Sequence, residues 1–187
     1  MPADSTIEVS MKNAKEQEER YNWLEAAKSY EQALHLKKSD PSFAAKTWQK
    51  IGFCYERASR QTRSIEEFKK LRQLAAKPYE DAAEIFAKEE GLKNEGKNTE
   101  CNAIATYVSS WLASDPLEKR ELLDQCLILG HKSQEVFKNA GDEMSYGKIY
   151  PSLLLCFYAC MHACHELESL VVTVKGMEIR EWLRGPD

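Results

Sequence analysis

The chain has 187 residues, a formal net charge of −4, and a composition in which 43% of residues are hydrophobic and 30% charged. This length is enough for one domain with its own core, and the small net charge excludes a strong field that would attract nucleic acid or an anionic membrane. The residues are rich in Ala, Glu, Lys and Leu, with few Gly and Pro. This composition predicts an all-α protein, which we treat as a single domain over residues 1–187.

Apolar residues recur at intervals of three and four along most of the chain, as in Trp23, Ala26, Tyr30 and Ala33. This is the spacing of amphipathic helices. It predicts about eight helices, at residues 7–19, 22–37, 42–58, 62–75, 78–94, 98–113, 116–139 and 149–170. Because the intervening loops are short, consecutive helices are expected to pack as antiparallel hairpins.

Local signals place several helix ends. Asp40-Pro41 and Asp115-Pro116 each combine a capping side chain with a proline suited to the first helical turn. Pro78 is expected to begin or kink a helix, because proline lacks the backbone N–H of an interior position. Three glycines are predicted to end helices: Gly91, Gly96 and Gly141.

Two stretches near the start of the chain match a known repeat. Trp48-x-x-Ile51-Gly52-x-x-Tyr55 resembles the first helix of the tetratricopeptide repeat, and Ala26-x-x-x-Tyr30-x-x-Ala33 is similar to its second helix. In such a repeat the small residue lets a neighbouring helix approach closely. The resemblance implies two repeats within residues 7–75 and a right-handed α-solenoid of helical hairpins.

The regular signature fades after residue 75. Leu74-Ala75-Ala76-x-x-Tyr79-x-x-Ala82-Ala83-x-x-Phe86 resembles the degenerate repeats of SNAP-type vesicle-fusion adaptors. This weaker resemblance implies irregular helical hairpins over residues 76–170, followed by a tail at 171–187.

The tetratricopeptide resemblance also implies where a partner binds, since the inner face of such a solenoid is formed chiefly by the first helix of each hairpin. The expected partner is another protein or a peptide, held without chemistry of the chain's own. The predicted partner-binding residues are Lys46, Gln49, Lys50, Phe53, Arg57, Lys69 and Arg72.

Positive charge is concentrated between Arg57 and Lys77. Because Glu66 and Glu67 lie within this stretch, it is most simply interpreted as a solvated surface with salt bridges along the helix. If Arg60 and Arg72 instead line a groove with Arg57 and Lys69, they suit an acidic or phosphate-bearing partner, which leaves anion or RNA binding as a weaker alternative. Nucleic acid is disfavoured because the nearby aromatic residues occupy packing positions.

Three cysteines and two histidines lie within the stretch CFYACMHACH. Cys156, Cys160 and Cys164 are spaced by four and share one helical stripe, which favours a buried core position for them. The alternative is a metal- or redox-responsive site formed by these cysteines with His165, although the Cys-x-x-Cys spacing typical of zinc sites is missing. We therefore predict no cofactor.

The most apolar segment is the predicted helix 149–170, which is too short for a bilayer span and is a candidate for a homodimer contact. The first twenty residues lack the apolar stretch of a secretory signal. These features predict a cytoplasmic protein without a membrane span. No P-loop, HExxH, GxGxxG or nucleophile-elbow motif occurs, so the sequence predicts an interaction scaffold or adaptor rather than an enzyme.

Overall fold

The structure, a computed structural model, describes residues 2–145, and all regular structure within that range is α-helical. The predicted helix 149–170 and the tail 171–187 lie outside the described residues. Loops of three to five residues join the described helices, which are α1 (Pro2–Glu19), α2 (Trp23–Lys37), α3 (Pro41–Ser59), α4 (Ile65–Lys88), α5 (Leu92–Ser110) and α6 (Pro116–Asn139).

Each described helix packs mainly against the helices that precede and follow it in the chain. The buried residues accordingly form a series of small clusters and not one central core. One cluster joins α1, α2 and α3 around Tyr30 and Ile51, another joins α3, α4 and α5 around Phe86, and a smaller one joins α5 and α6 around Cys126. This arrangement confirms the predicted all-α fold of sequence-adjacent helices.

Both predicted aspartate caps are confirmed. Asp40 accepts a hydrogen bond from the backbone N–H of Phe43 at 3.0 Å, and Asp115 accepts one from Leu117 at 3.1 Å. Each side chain thereby satisfies a backbone donor that has no partner within its own helix.

Replacing Asp40 by Ala is expected to destabilise the protein at neutral pH by an amount that shrinks in acid. The hydrogen bond from Phe43 lowers the pKa of Asp40 below its ordinary value. The ionised Asp40 side chain therefore stabilises the fold fully above the unfolded-state pKa of about 4. This stabilisation is lost as the pH falls further, through the lower folded-state pKa. Urea unfolding at several pH values measures the difference. Asp40→Asn, which keeps a capping oxygen, is the control, and an Asp40→Ala effect that is the same at every pH would contradict the assignment.

The prediction of two helices at 62–75 and 78–94 is wrong, because α4 is one continuous helix that contains Pro78. A proline inside a helix costs about 3 kcal/mol. Here a buried face continues through it, with Ala75 and Ala76 on one side and Tyr79 and Ala82 on the other, so tertiary packing offsets that cost. The helix begins at Ile65 because Ser64 caps it by accepting from the N–H of Glu67.

The three glycines predicted to end helices behave differently. Gly91 and Gly141 lie just outside helices with φ of 110° and 65°, values that favour glycine. Gly96 is inside α5, so its prediction as a stop is wrong. A Cβ at Gly96 would lie 2.7 Å from the ring of Phe137, which shows that close packing of α5 against α6 requires a glycine there.

Candidate functional site

Five of the predicted partner-binding residues form one stripe along α3, here named the α3 stripe. Its members are spaced by three and four residues, so a helix places them on the same side. Its three cationic residues are exposed, whereas Gln49 and Phe53 are half-buried. The members of the α3 stripe are Lys46, Gln49, Lys50, Phe53 and Arg57.

Side-chain contacts show that the α3 stripe lies between α1 and α5. The Lys50 Nζ is 3.4 Å from both carboxylate oxygens of Glu18 in α1. The Gln49 Nε2 donates to the Sγ of Cys101 in α5 at 3.0 Å. Side chains of α1 and α5 therefore contact α3 at these two members of the stripe.

Residues of α3 outside the stripe also contact the even-numbered helices. The Tyr55 hydroxyl donates to Glu31 in α2 at 2.7 Å, and Gly52 lies directly beneath the ring of Tyr79 in α4. The close approach that the repeat signature associates with position 52 is thus present in the structure. Helix α3 therefore packs mainly against α2 and α4, and individual side chains link it to α1 and α5.

The ring of Phe53 forms the apolar centre of the α3 stripe. The guanidinium of Arg57 lies 5.0 Å and the ammonium of Lys50 5.9 Å from its centroid, both within cation–π distance. Trp23 of α2 supports the ring edge-on, with centroids 5.6 Å apart. An apolar ring between two exposed cations can contact an apolar side chain flanked by carboxylates.

The two remaining predicted binding residues lie on α4. Lys69 is exposed. Arg72 is only 2% exposed, so it is not available on an open surface as the sequence prediction assumed. It belongs to a second group of side chains, here named the Arg72 cluster, which consists of Glu56, Arg60, Phe68, Arg72, Tyr107 and Trp111.

Three aromatic rings surround the guanidinium of Arg72. Its central carbon lies 5.1 Å from the ring centroid of Phe68, 5.8 Å from that of Tyr107 and 5.5 Å from that of Trp111. Burial lowers the pKa of Arg72 from its ordinary value, and the Glu56 carboxylate opposes that shift. The charge pattern of the sequence grouped Arg60 with Arg72 but did not reveal the other members, because these lie on or next to three different helices and no local pattern links them.

One buried carboxylate serves both arginines of the cluster. Glu56 is 7% exposed, and one of its oxygens accepts from Arg60 through Nε at 2.9 Å and also through Nη2. The Nη1 of Arg72 lies 3.6 Å from that same oxygen, which is long for a hydrogen bond. The cluster therefore pairs two guanidinium groups with one carboxylate.

Three buried cysteines lie within residues 2–145 and form no disulfide there: Cys54, Cys101 and Cys126. Burial raises the pKa of Cys54 and of Cys101 to about 12, with neighbouring glutamates adding to the shift. Within residues 2–145 no group of His, Cys, Asp and Glu side chains has an arrangement that could hold a metal ion. The alternative site at Cys156, Cys160, Cys164 and His165 lies outside that range and stays a prediction.

Cys54 and Cys101 are expected to resist alkylation in the folded protein. At about pH 8 a thiol with such a raised pKa is almost entirely protonated, and the thiolate is the reactive form. Iodoacetamide treatment followed by peptide mass mapping reads each cysteine separately, and urea-unfolded protein provides the fully reactive reference. Equal labelling of these two cysteines in folded and unfolded protein would show that their burial does not control their reactivity.

Comparisons with protein-family models, with curated proteins and with solved structures find no match to this chain. The tetratricopeptide and SNAP-type resemblances therefore stay predictions. None of the helices within residues 2–145 has the length and apolar character needed to cross a bilayer.

Proposed function

We propose that this chain is a non-catalytic protein-interaction scaffold, built as a tetratricopeptide-like solenoid, that captures a segment of a partner protein along the α3 stripe. The partner segment lies in the channel bordered by α1 and α5 and contacts Lys46, Lys50, Phe53 and Arg57.

The observation that carries this proposal is the pair of side-chain contacts that link α3 to α1 and to α5. Glu18 with Lys50, and Gln49 with Cys101, link α3 to α1 and to α5, which are the first helices of three consecutive hairpins in the proposed solenoid. In helical-repeat proteins such a row forms an extended binding surface, because its side chains can change without disturbing the packing between hairpins.

The chemistry of the α3 stripe favours an acidic segment. Lys46 and Arg57 are exposed cations near the two ends of the stripe, and the half-buried Phe53 lies between them. A partner segment with carboxylates on either side of an apolar residue matches this order of groups. Electrostatic attraction of this kind mainly sets the association rate and the choice of partner.

Selection from a random peptide library tests the proposal directly. Wild-type protein is expected to enrich acidic peptides, and the double variant Lys50→Glu with Arg57→Glu is expected to bind the selected peptides at least about tenfold more weakly. The matched control is Lys70→Glu with Lys88→Glu, which makes the same change of net charge at exposed positions of α4.

Circular dichroism and thermal unfolding verify that both double variants fold. Loss of binding in the α3 variant alone supports the α3 stripe as the capture surface. Equal loss of binding in both double variants would show that only the net charge matters. Undiminished binding by the α3 variant would show that the partner is captured at another surface.

A further inference from the structure

Within the part of the chain that the structure describes, the Arg72 cluster contains buried hydrogen-bond donors that have no acceptor. Neither the Nε nor the Nη1 of Arg72 has a hydrogen-bond partner within the described residues. Unpaired donors on a buried cation are strongly unfavourable, and native proteins seldom leave them so. One more hydrogen-bond acceptor beside Arg72 would therefore be favourable.

The charges of the Arg72 cluster also favour an additional anionic group. Glu56 supplies one negative charge for Arg60 and Arg72, so the described side chains in contact leave an excess of one positive charge. The Glu56 oxygen that faces both arginines already accepts two hydrogen bonds from Arg60. An oxygen of an added anion would accept the unpaired hydrogen bonds of Arg72 and would also balance the excess positive charge.

The aromatic residues narrow the class of ligand. Phe68 and Tyr107 each meet Trp111 edge-on, at interplanar angles of 81° and 87°. The ring of Trp111 is contacted by Arg72 and by Lys119, each at 5.5 Å from its centroid. Because cations and ring edges use these aromatic surfaces, the cluster suits a compact anionic group better than a stacked nucleobase.

Arg60 and Trp111 are the most exposed members of the cluster. The side chain of Arg60 is 38% exposed and Trp111 is 36% exposed, whereas Arg72 and Glu56 are buried. Arg60 is therefore the accessible guanidinium of the cluster, and Arg72 is the buried one.

We propose that Arg60 and Arg72 form a binding site for one oxyanion group, a carboxylate or a phosphate, with Phe68, Tyr107 and Trp111 as its walls. The site uses none of the five residues of the α3 stripe and does not depend on peptide capture there. It gives this region of α3, α4 and α5 a ligand whose binding also stabilises the fold.

Thermal unfolding in sodium phosphate, sodium acetate and sodium chloride, at equal pH and ionic strength, tests the site. Phosphate or acetate is expected to raise the Tm of the wild-type protein by about 3 °C or more above chloride at saturation. A response to phosphate alone identifies a phosphate site, a response to acetate alone identifies a carboxylate site, and a response to both identifies a general oxyanion site. No response beyond chloride would overturn the proposal.

Three variants tie the response to the cluster. Arg60→Gln is expected to reduce the Tm increase by at least half, while Arg63→Gln, an exposed arginine of the same loop, leaves it unchanged. Glu56→Gln is expected to enlarge the increase, because it removes the carboxylate that competes with the added anion. Equal effects of the Arg60 and Arg63 substitutions, or a smaller increase in Glu56→Gln, would overturn the proposal. The test does not require a variant of Arg72 to fold.

Tryptophan emission provides a local signal. Trp111 is one of four tryptophans in the chain, and its ring contacts the Arg72 guanidinium. Titration with the active anion is expected to change the emission of the wild-type protein but not that of Trp111→Phe. An identical change in both proteins would place the anion away from the cluster.

Discussion

Replacing Gly52 by Val is expected to lower the free energy of unfolding by about 3 kcal/mol, because the new side chain would overlap a buried ring. An added Cβ at Gly52 alone would lie 2.8 Å from two ring carbons of Tyr79. Tyr79 is 5% exposed and packs against α5, so its ring has little space into which it can move. Equilibrium unfolding in urea, monitored by circular dichroism, measures the loss.

The control for this substitution is Ala87→Val at an exposed position of α4. It introduces the same β-branched side chain into a helix without a close neighbour, so it measures helix propensity alone, which differs by less than about 1 kcal/mol. If the two variants lose similar amounts of stability, close packing of Gly52 beneath Tyr79 is not what makes the glycine necessary.

Replacing Glu56 by Leu is expected to cost about 3–5 kcal/mol in chloride buffer, because it leaves the buried guanidinium of Arg72 without its carboxylate. Adding Arg72→Met to this variant is expected to recover part of the loss, since an apolar side chain replaces the uncompensated charge among Phe68, Tyr107 and Trp111. Urea unfolding of the wild type, both single variants and the double variant forms a thermodynamic cycle.

The sign of the coupling decides the interpretation. A double variant more stable than Glu56→Leu alone shows that the cost comes from an unpaired charge. A double variant whose loss equals the sum of the two single losses would show instead that the two side chains contribute independently through packing.

Local features of the structure could be predicted from the sequence because their causes are local. The cap of α3 involves only Asp40 and the backbone N–H of Phe43, three residues later. Likewise α6 begins at Pro116, as the pair Asp115-Pro116 predicted. The α3 stripe follows from helical periodicity alone, once residues 42–58 are recognised as a helix. The close approach at Gly52 follows from a motif in which that position is small.

The features that the sequence did not predict depend on distant parts of the chain. Pro78 stays inside α4 because the helix packs against both α3 and α5, and this packing exceeds the local preference to break. Gly96 is helical because Phe137 of α6 lies over it. Arg72 is buried because Tyr107 of α5 and Trp111 at its end pack against it, and the sequence around residue 72 does not indicate these contacts. In each case the deciding contact is tertiary and overrides a local signal.

The series of small hydrophobic clusters determines how disturbances spread through this part of the protein. Since a helix shares its buried surface mainly with its immediate neighbours, damage in the cluster around Tyr30 has no direct contact through which to reach the one around Cys126. In such a chain each helix is coupled to its neighbours, and the strength of each helix–helix interface determines how many helices unfold together. The same locality allows fast folding, because few contacts must wait for a long loop to close.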